Sequence, residues 1–193
     1  VGHTSNVRSI TFRSDGRILA SGSDDRTIKL WRVQDGELLR TFKGHLHSIR
    51  DLSFTPDGQN IATASFDGRI LFWQVEDGRM VNVFDNIDSW LATISISPNG
   101  KLLASGGGYR GIKLWNNSDG TIVKELPGHG IWIRSLRFSP NGKLLASGSF
   151  DRTVKLWRVE DGSLLRILEG HLGRVEDVSF SADGKLLASA SKI

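Results

Sequence analysis

Residues 128–169 read GHGIWIRSLRFSPNGKLLASGSFDRTVKLWRVEDGSLLRILE, and this stretch decides the fold. Apolar side chains alternate at Leu136 and Phe138, then Asn141-Gly142 interrupts them. The run LLASGS follows at 144–149, a second break falls at Phe150-Asp151, and a third run closes on Lys155-Leu156-Trp157. Asn-Gly between alternating apolar runs signals a β-hairpin, and it predicts a type I′ turn with positive φ. After Asp161-Gly162, the run from Leu164 to Leu168 completes four short strands.

Working outward, the same pattern recurs along the whole chain. Trp31, Trp73, Trp115 and Trp157 stand 42 residues apart. The pairs Gly2-His3, Gly44-His45, Gly128-His129 and Gly170-His171 lie on the same grid, as do the turns Asp15-Gly16, Asp57-Gly58, Asn99-Gly100, Asn141-Gly142 and Asp183-Gly184. No insertion breaks the register, so each copy must repeat one backbone shape. In the first copy, Val7, Ile10 and Phe12 precede Asp15-Gly16, Ile18-Leu19-Ala20 follow it, and Thr27–Val33 and Leu38–Phe42 are the third and fourth strands. No segment holds a helical period, so the expected class is all-β, without helices.

Composition bounds the rest. The chain has 193 residues, no cysteine and a net charge of +4. No disulfide or cysteine metal site is possible, and the absence fits a reducing compartment such as the cytoplasm. The charge admits an acidic partner without demanding nucleic acid. No apolar run reaches the roughly 18 residues of a membrane span, and no signal peptide is visible.

On these residues the chain resembles the WD40 repeat family, whose units are four-stranded β-propeller blades. The Trp-Asp dipeptide of that family is absent: Arg32, Gln74, Asn116 and Arg158 follow the tryptophans. The insertion-free register also resembles bacterial, especially cyanobacterial, WD40 arrays, which often follow a signalling ATPase or kinase domain. One array over 1–193 is expected, with repeats 1–42, 43–84, 85–126, 127–168 and a partial 169–193. The third is divergent, carrying Asn86-Ile87 for Gly-His and Tyr109 for Asp. The fifth stops after its second strand, leaving an open apolar edge. A ring of about seven blades is therefore not expected from one chain. Membership of a longer array, assembly of copies into a homo-oligomer, and a cleaved or disordered end are the alternatives.

Two residue sets stand out. The resemblance groups His3, Ser21, Asp25 and Trp31; His45, Thr63, Asp67 and Trp73; and His129, Ser147, Asp151 and Trp157, with His171 and Ser189 as a remnant. Ser-His-Asp suggests a hydrolase, but a catalytic triad has no reason to recur every 42 residues. The family reading is a hydrogen-bond relay from indole to hydroxyl to imidazole to carboxylate, and no catalytic residue is assigned. His47 lacks a second ligand at metal spacing, so neither metal nor cofactor is expected. The repeated cations Arg26, Arg110, Arg152, Lys29, Lys113 and Lys155 read as solvated strand surface, with nucleic-acid or phosphate binding as a minor alternative.

The second set varies between repeats. In WD40 proteins, partner contacts fall on one rim, at three and five residues after the His and one before the Asp. Those positions hold Asn6, Arg8 and Asp24; Ser48, Arg50 and Phe66; Trp90, Ala92 and Gly108; Trp132, Arg134 and Phe150; and Arg174, Glu176 and Lys192. The residue between the first two is apolar throughout (Val7, Ile49, Leu91, Ile133, Val175), as a strand with one buried face requires. Arg8, Arg50, Phe66, Trp90, Trp132, Arg134, Phe150 and Arg174 are thus the expected partner-binding residues, since Trp and Arg dominate binding hot spots. The expected function is a non-catalytic protein–protein interaction scaffold or sensor, taking a protein or peptide that is acidic or aromatic. A structural unit that closes a ring by self-assembly is the alternative.

Overall fold

The computed structural model describes residues 2–85, 90–108 and 111–193, and no helix occurs among them. They form two compact units, residues 1–91 and 92–193. In the first, β1 (Val7–Phe12), β2 (Ile18–Ser23), β3 (Thr27–Arg32) and β4 (Leu38–Lys43) pair in chain order as one antiparallel sheet. The next blade repeats it with β5 (Ile49–Phe54), β6 (Asn60–Ser65), β7 (Arg69–Gln74) and β8 (Met80–Asp85).

The second unit holds β9 (Leu91–Ile96, entered from the last residue of the first unit), β10 (Leu102–Gly107), β11 (Ile112–Asn116) and β12 (Ile122–Leu126). A further sheet contains β13 (Ile133–Phe138), β14 (Leu144–Ser149), β15 (Val154–Arg158) and β16 (Leu164–Leu168). Finally β17 (Arg174–Phe180) and β18 (Leu187–Lys192) pair as a two-stranded sheet. Every residue of β18 after Leu187 is exposed.

The hairpin turns differ from the type I′ expectation. Gly142 has φ +69°, whereas Asn141 keeps a negative φ, and the same holds for Asp15-Gly16. Side-chain hydrogen bonds replace the second left-handed residue. The Asn141 carbonyl accepts the Lys143 N–H at 3.0 Å and the Ser139 hydroxyl at 2.8 Å, while Gly142 N–H donates to Ser139 O. An Asx-type side chain thus closes the loop, and only the glycine needs the left-handed region.

Within each unit the core lies between its neighbouring sheets. In the first unit, Ile28, Leu30 and Phe42 pack with Ile49, Leu52 and Trp73, and Phe42 stacks on Trp73 at 5.5 Å. In the second, Ile112, Leu114 and Leu126 pack with Ile133, Leu136 and Trp157. Second-strand glycines let the sheets close. A methyl built on Gly22 would sit 2.6 Å from Ile49, and one on Gly148 would sit 2.7 Å from Val175. Ile49, Ile133 and Val175 are fully buried by this contact, whereas Val7 is 48% exposed and departs from the buried face expected of it. Polar ties cross between sheets at the same grid position: the Ser9 hydroxyl donates to Asp51 at 2.8 Å, and the Ser135 hydroxyl donates to Asp177 at 2.6 Å.

Candidate functional site

The Ser-His-Asp-Trp groups form, and their wiring explains their role. In the fourth repeat, His129 Nδ1–H donates to Asp151 at 2.7 Å. The Ser147 hydroxyl lies 2.8 Å from His129 Nε2 and accepts the Trp157 indole N–H at 2.9 Å. A neutral imidazole therefore takes the hydroxyl proton, and every buried donor has an acceptor. Burial pushes His129 below its ordinary pKa despite Asp151, which keeps the ring neutral. Burial also opposes the charge on Asp151, yet hydrogen bonds from Thr153 and His129 hold its pKa below the usual range.

The first two repeats match this pattern. His3 joins Asp25 and Ser21 at 2.8 and 2.7 Å, with Trp31 on Ser21 at 2.8 Å. His45 joins Asp67 and Thr63, both at 2.8 Å, with Trp73 on Thr63 at 3.0 Å. The carboxylates also knot the loops: Asp25 accepts the N–H of Thr4 and both the N–H and hydroxyl of Thr27. In the third repeat Trp115 donates to Ser105 at 2.8 Å. Asn86, Ile87 and Tyr109, which marked that copy as divergent, and the repeated cation Arg110 lie outside the described residues. In the fifth, Ser189 bonds His171 at 2.7 Å, and Ile193 stands where the carboxylate would be.

The connectivity of Ser147, His129 and Asp151 is that of a hydrolytic triad, but the hydroxyl cannot act as one. Ser147 is fully buried, with its hydroxyl held between His129 and the Trp157 indole, so no substrate carbonyl can approach it. Among the described residues no group of three or more His, Cys, Asp or Glu could hold a metal.

The rim positions assemble into two clusters. In the first unit a ladder runs from Arg8 through Asp24, Arg50 and Phe66 to Trp90. Arg8 forms an ion pair with Asp24 from β1 and holds its carboxyl below the ordinary range, against partial burial. Arg50 approaches the same carboxylate at 3.8 Å and lies 4.4 Å over the Phe66 ring. Phe66 and Trp90 meet at 6.0 Å between centroids, tilted by 41°, and Trp90 is 61% exposed. In the second unit Trp132 stacks on Phe150 at 6.0 Å, Arg174 lies 4.8 Å over Phe150, and Arg134 pairs with Glu176 at 3.3 Å.

The structure adds the contacts of several rim residues. Arg8 and Arg134 are ion-paired within the rim, so they do not offer bare positive charge. Ala92 and Gly108 are buried, so these positions of the third repeat add nothing to a surface. Trp132 is half-buried against Phe150, leaving Trp90 as the more exposed indole. Phe–Trp and Phe–Arg pairing was not legible from the spacing. The signal was that Phe66 and Phe150 share one grid position and Trp90 and Trp132 another, although Phe66 meets the indole of the following repeat and Phe150 that of its own.

The sheets and relays define a class, the WD-repeat blade. The family model described as "WD domain, G-beta repeat" (WD40) matches residues 1–32, 36–74, 78–116, 120–158 and 162–192, and the chain belongs to this family. WD40 repeats generally mediate protein–protein interaction or scaffolding. The chain is similar to a ribosome biogenesis protein BOP1 homolog of Drosophila virilis, 45% identical over 42 residues, which is 22% of this chain and 5% of that protein. It is also similar to the WD repeat-containing protein SL1-17 of Schistosoma mansoni, 55% identical over 38 residues, which is 20% of this chain and 13% of that protein. Each match is one repeat long and shows shared repeat chemistry alone. Both relatives are eukaryotic, so they lend no support to a bacterial likeness.

Proposed function

We propose that the chain is a non-catalytic protein-interaction module, built as one array of WD40 repeats, and that its rim binds a peptide segment through the aromatic faces of Trp90 and Phe66 and of Trp132 and Phe150. The observation that carries this reading is the Arg50–Phe66–Trp90 ladder. It holds a large indole 61% exposed beside the Phe66 ring and Arg50, so apolar surface is clustered there rather than scattered singly. Rigid aromatic anchors flanked by arginine are the usual centres of interface energy. Because Arg8 and Arg134 are already neutralised by neighbours, the rim selects for apolar and aromatic side chains more than for acidic ones. The insertion-free register supports a place in a longer signalling array of the bacterial kind.

The test uses peptides selected from a display library on the wild-type chain. Trp90→Ala should weaken them by about tenfold or more, the value of one hot-spot residue. Its melting temperature should stay within about 3 °C of wild type, since an exposed residue contributes little to stability. Unchanged affinity would refute the reading.

A further inference from the structure

A second surface lies where β3 and β4 of the first blade meet the Gly44-His45 entry to the next. It is a groove of about 640 Å³, within the size range of ligand-binding clefts. Arg26, Lys29 and Lys43 line it with Thr41 and the Asp25 turn. We propose that this groove is a docking site for an acidic peptide segment of a partner protein, read by Arg26, Lys29 and Lys43.

Three observations support this. First, none of the three cations is ion-paired among the described residues; Lys29 reaches only the Thr41 hydroxyl, at 3.1 Å. The one carboxylate in the groove, Asp25, is turned to His3, Thr4 and Thr27, which supply its hydrogen bonds. The groove therefore carries a net positive charge, three cations against the one carboxylate of Asp25.

Second, the repeat supplies its own control. The positions of Arg26, Lys29 and Lys43 hold Gly68, Leu71 and Asp85 in the second repeat and Arg152, Lys155 and Glu169 in the fourth. The blade needs none of these charges to form, since the second repeat builds its sheet with Gly68, Leu71 and Asp85 at these positions. In the fourth repeat Lys155 donates to Gly128 O at 2.8 Å, and Glu169 replaces the third cation. Only the first repeat places all three charges together among the described residues.

Third, Arg26 stands in the left-handed region at φ +67°, where the second repeat uses Gly68 at φ +82°. A side chain there carries backbone strain that glycine avoids. Arg152 shares that strain, so strain alone does not mark a site; its coincidence with Lys29 and Lys43 does.

A peptide is favoured over nucleic acid because the groove has no ring on which a base could stack. Its one aromatic side chain, His45, is fully buried in the relay. This inference is independent of the rim, and its readouts do not involve Trp90.

The experiment measures anisotropy of a fluorescein-labelled oligoglutamate peptide on the full chain, with Arg26→Gly, Lys43→Glu and Arg152→Gly compared. Arg26→Gly relieves strain, so a loss of binding cannot come from misfolding. It should weaken the peptide about fivefold, the value of one solvent-accessible charge pair. Lys43→Glu imports the residue of the fourth repeat and should weaken it about tenfold or more, because attraction becomes repulsion. Arg152→Gly makes the same change of charge in another blade and should leave binding unchanged. Equal losses for Arg26→Gly and Arg152→Gly would show attraction to bulk charge and overturn the proposal. So would unchanged binding in Lys43→Glu, or tighter binding of a single-stranded oligonucleotide that depends on the same residues.

Discussion

Replacing Ser147 with alanine tests the role of the relay most directly. The Ser147 hydroxyl serves two buried partners at once, accepting the Trp157 indole N–H at 2.9 Å and bonding His129 Nε2 at 2.8 Å. Trp157 and Ser147 are both essentially inaccessible to solvent, so water cannot take the place of the lost oxygen. Each buried polar group left without a partner costs about 1–3 kcal/mol. Two such groups give a loss of about 3 kcal/mol after partial relaxation. For a cooperative chain of this length, each kcal/mol lowers the melting temperature by about 2–4 °C, so a fall of about 6–12 °C is expected. Differential scanning calorimetry on Ser147→Ala reads it. Ser147→Thr keeps the hydroxyl, as Thr63 does in the second repeat, and should recover most of the loss. Ser189→Ala is the internal control: Ser189 is exposed and meets only His171, so a change below about 0.5 kcal/mol is expected. If Ser147→Ala and Ser189→Ala shift the melting temperature equally, the relay is not a buried structural device.

Two further outcomes follow from the same geometry. His129 has a folded-state pKa below its ordinary value, so the unfolded chain binds more protons; stability should fall as pH drops through about 6.5, the unfolded histidine value. A second loss should begin near about pH 4, as Asp25, Asp67 and Asp151, whose folded pKa values are also depressed, take up protons; urea midpoints across pH 3–8 read both steps. Gly148→Ala places a methyl 2.7 Å from Val175 and should cost about 1–3 kcal/mol by overpacking, whereas Gly130→Ala meets nothing within 4 Å and should be close to neutral by urea titration.

The sequence by itself determined the blades. A 42-residue period without insertions, period-two alternation and glycine turns point to four short antiparallel strands in each complete repeat. The relay was legible only through the resemblance to the WD40 family, which groups these His, Ser or Thr, Asp and Trp positions; spacing alone does not bring them together. Even locally there was a limit. The turns at Asn141-Gly142 close through a side-chain oxygen rather than a second left-handed residue, which depends on hydrogen-bond geometry that composition does not carry.

Only the tertiary structure decided what the variable residues touch. Arg8, Arg50 and Arg134 looked alike along the chain, yet Arg8 and Arg134 are paired with Asp24 and Glu176, and Arg50 lies between Asp24 and Phe66. Likewise Arg26 and Arg152 are twins by position, but Lys43 stands beside one and Glu169 at the matching place of the other. Strand pairing is written in local alternation, so a period reveals it. Side-chain partners across loops and neighbouring sheets depend on how successive blades pack, and that is set by close contacts such as Gly22 on Ile49.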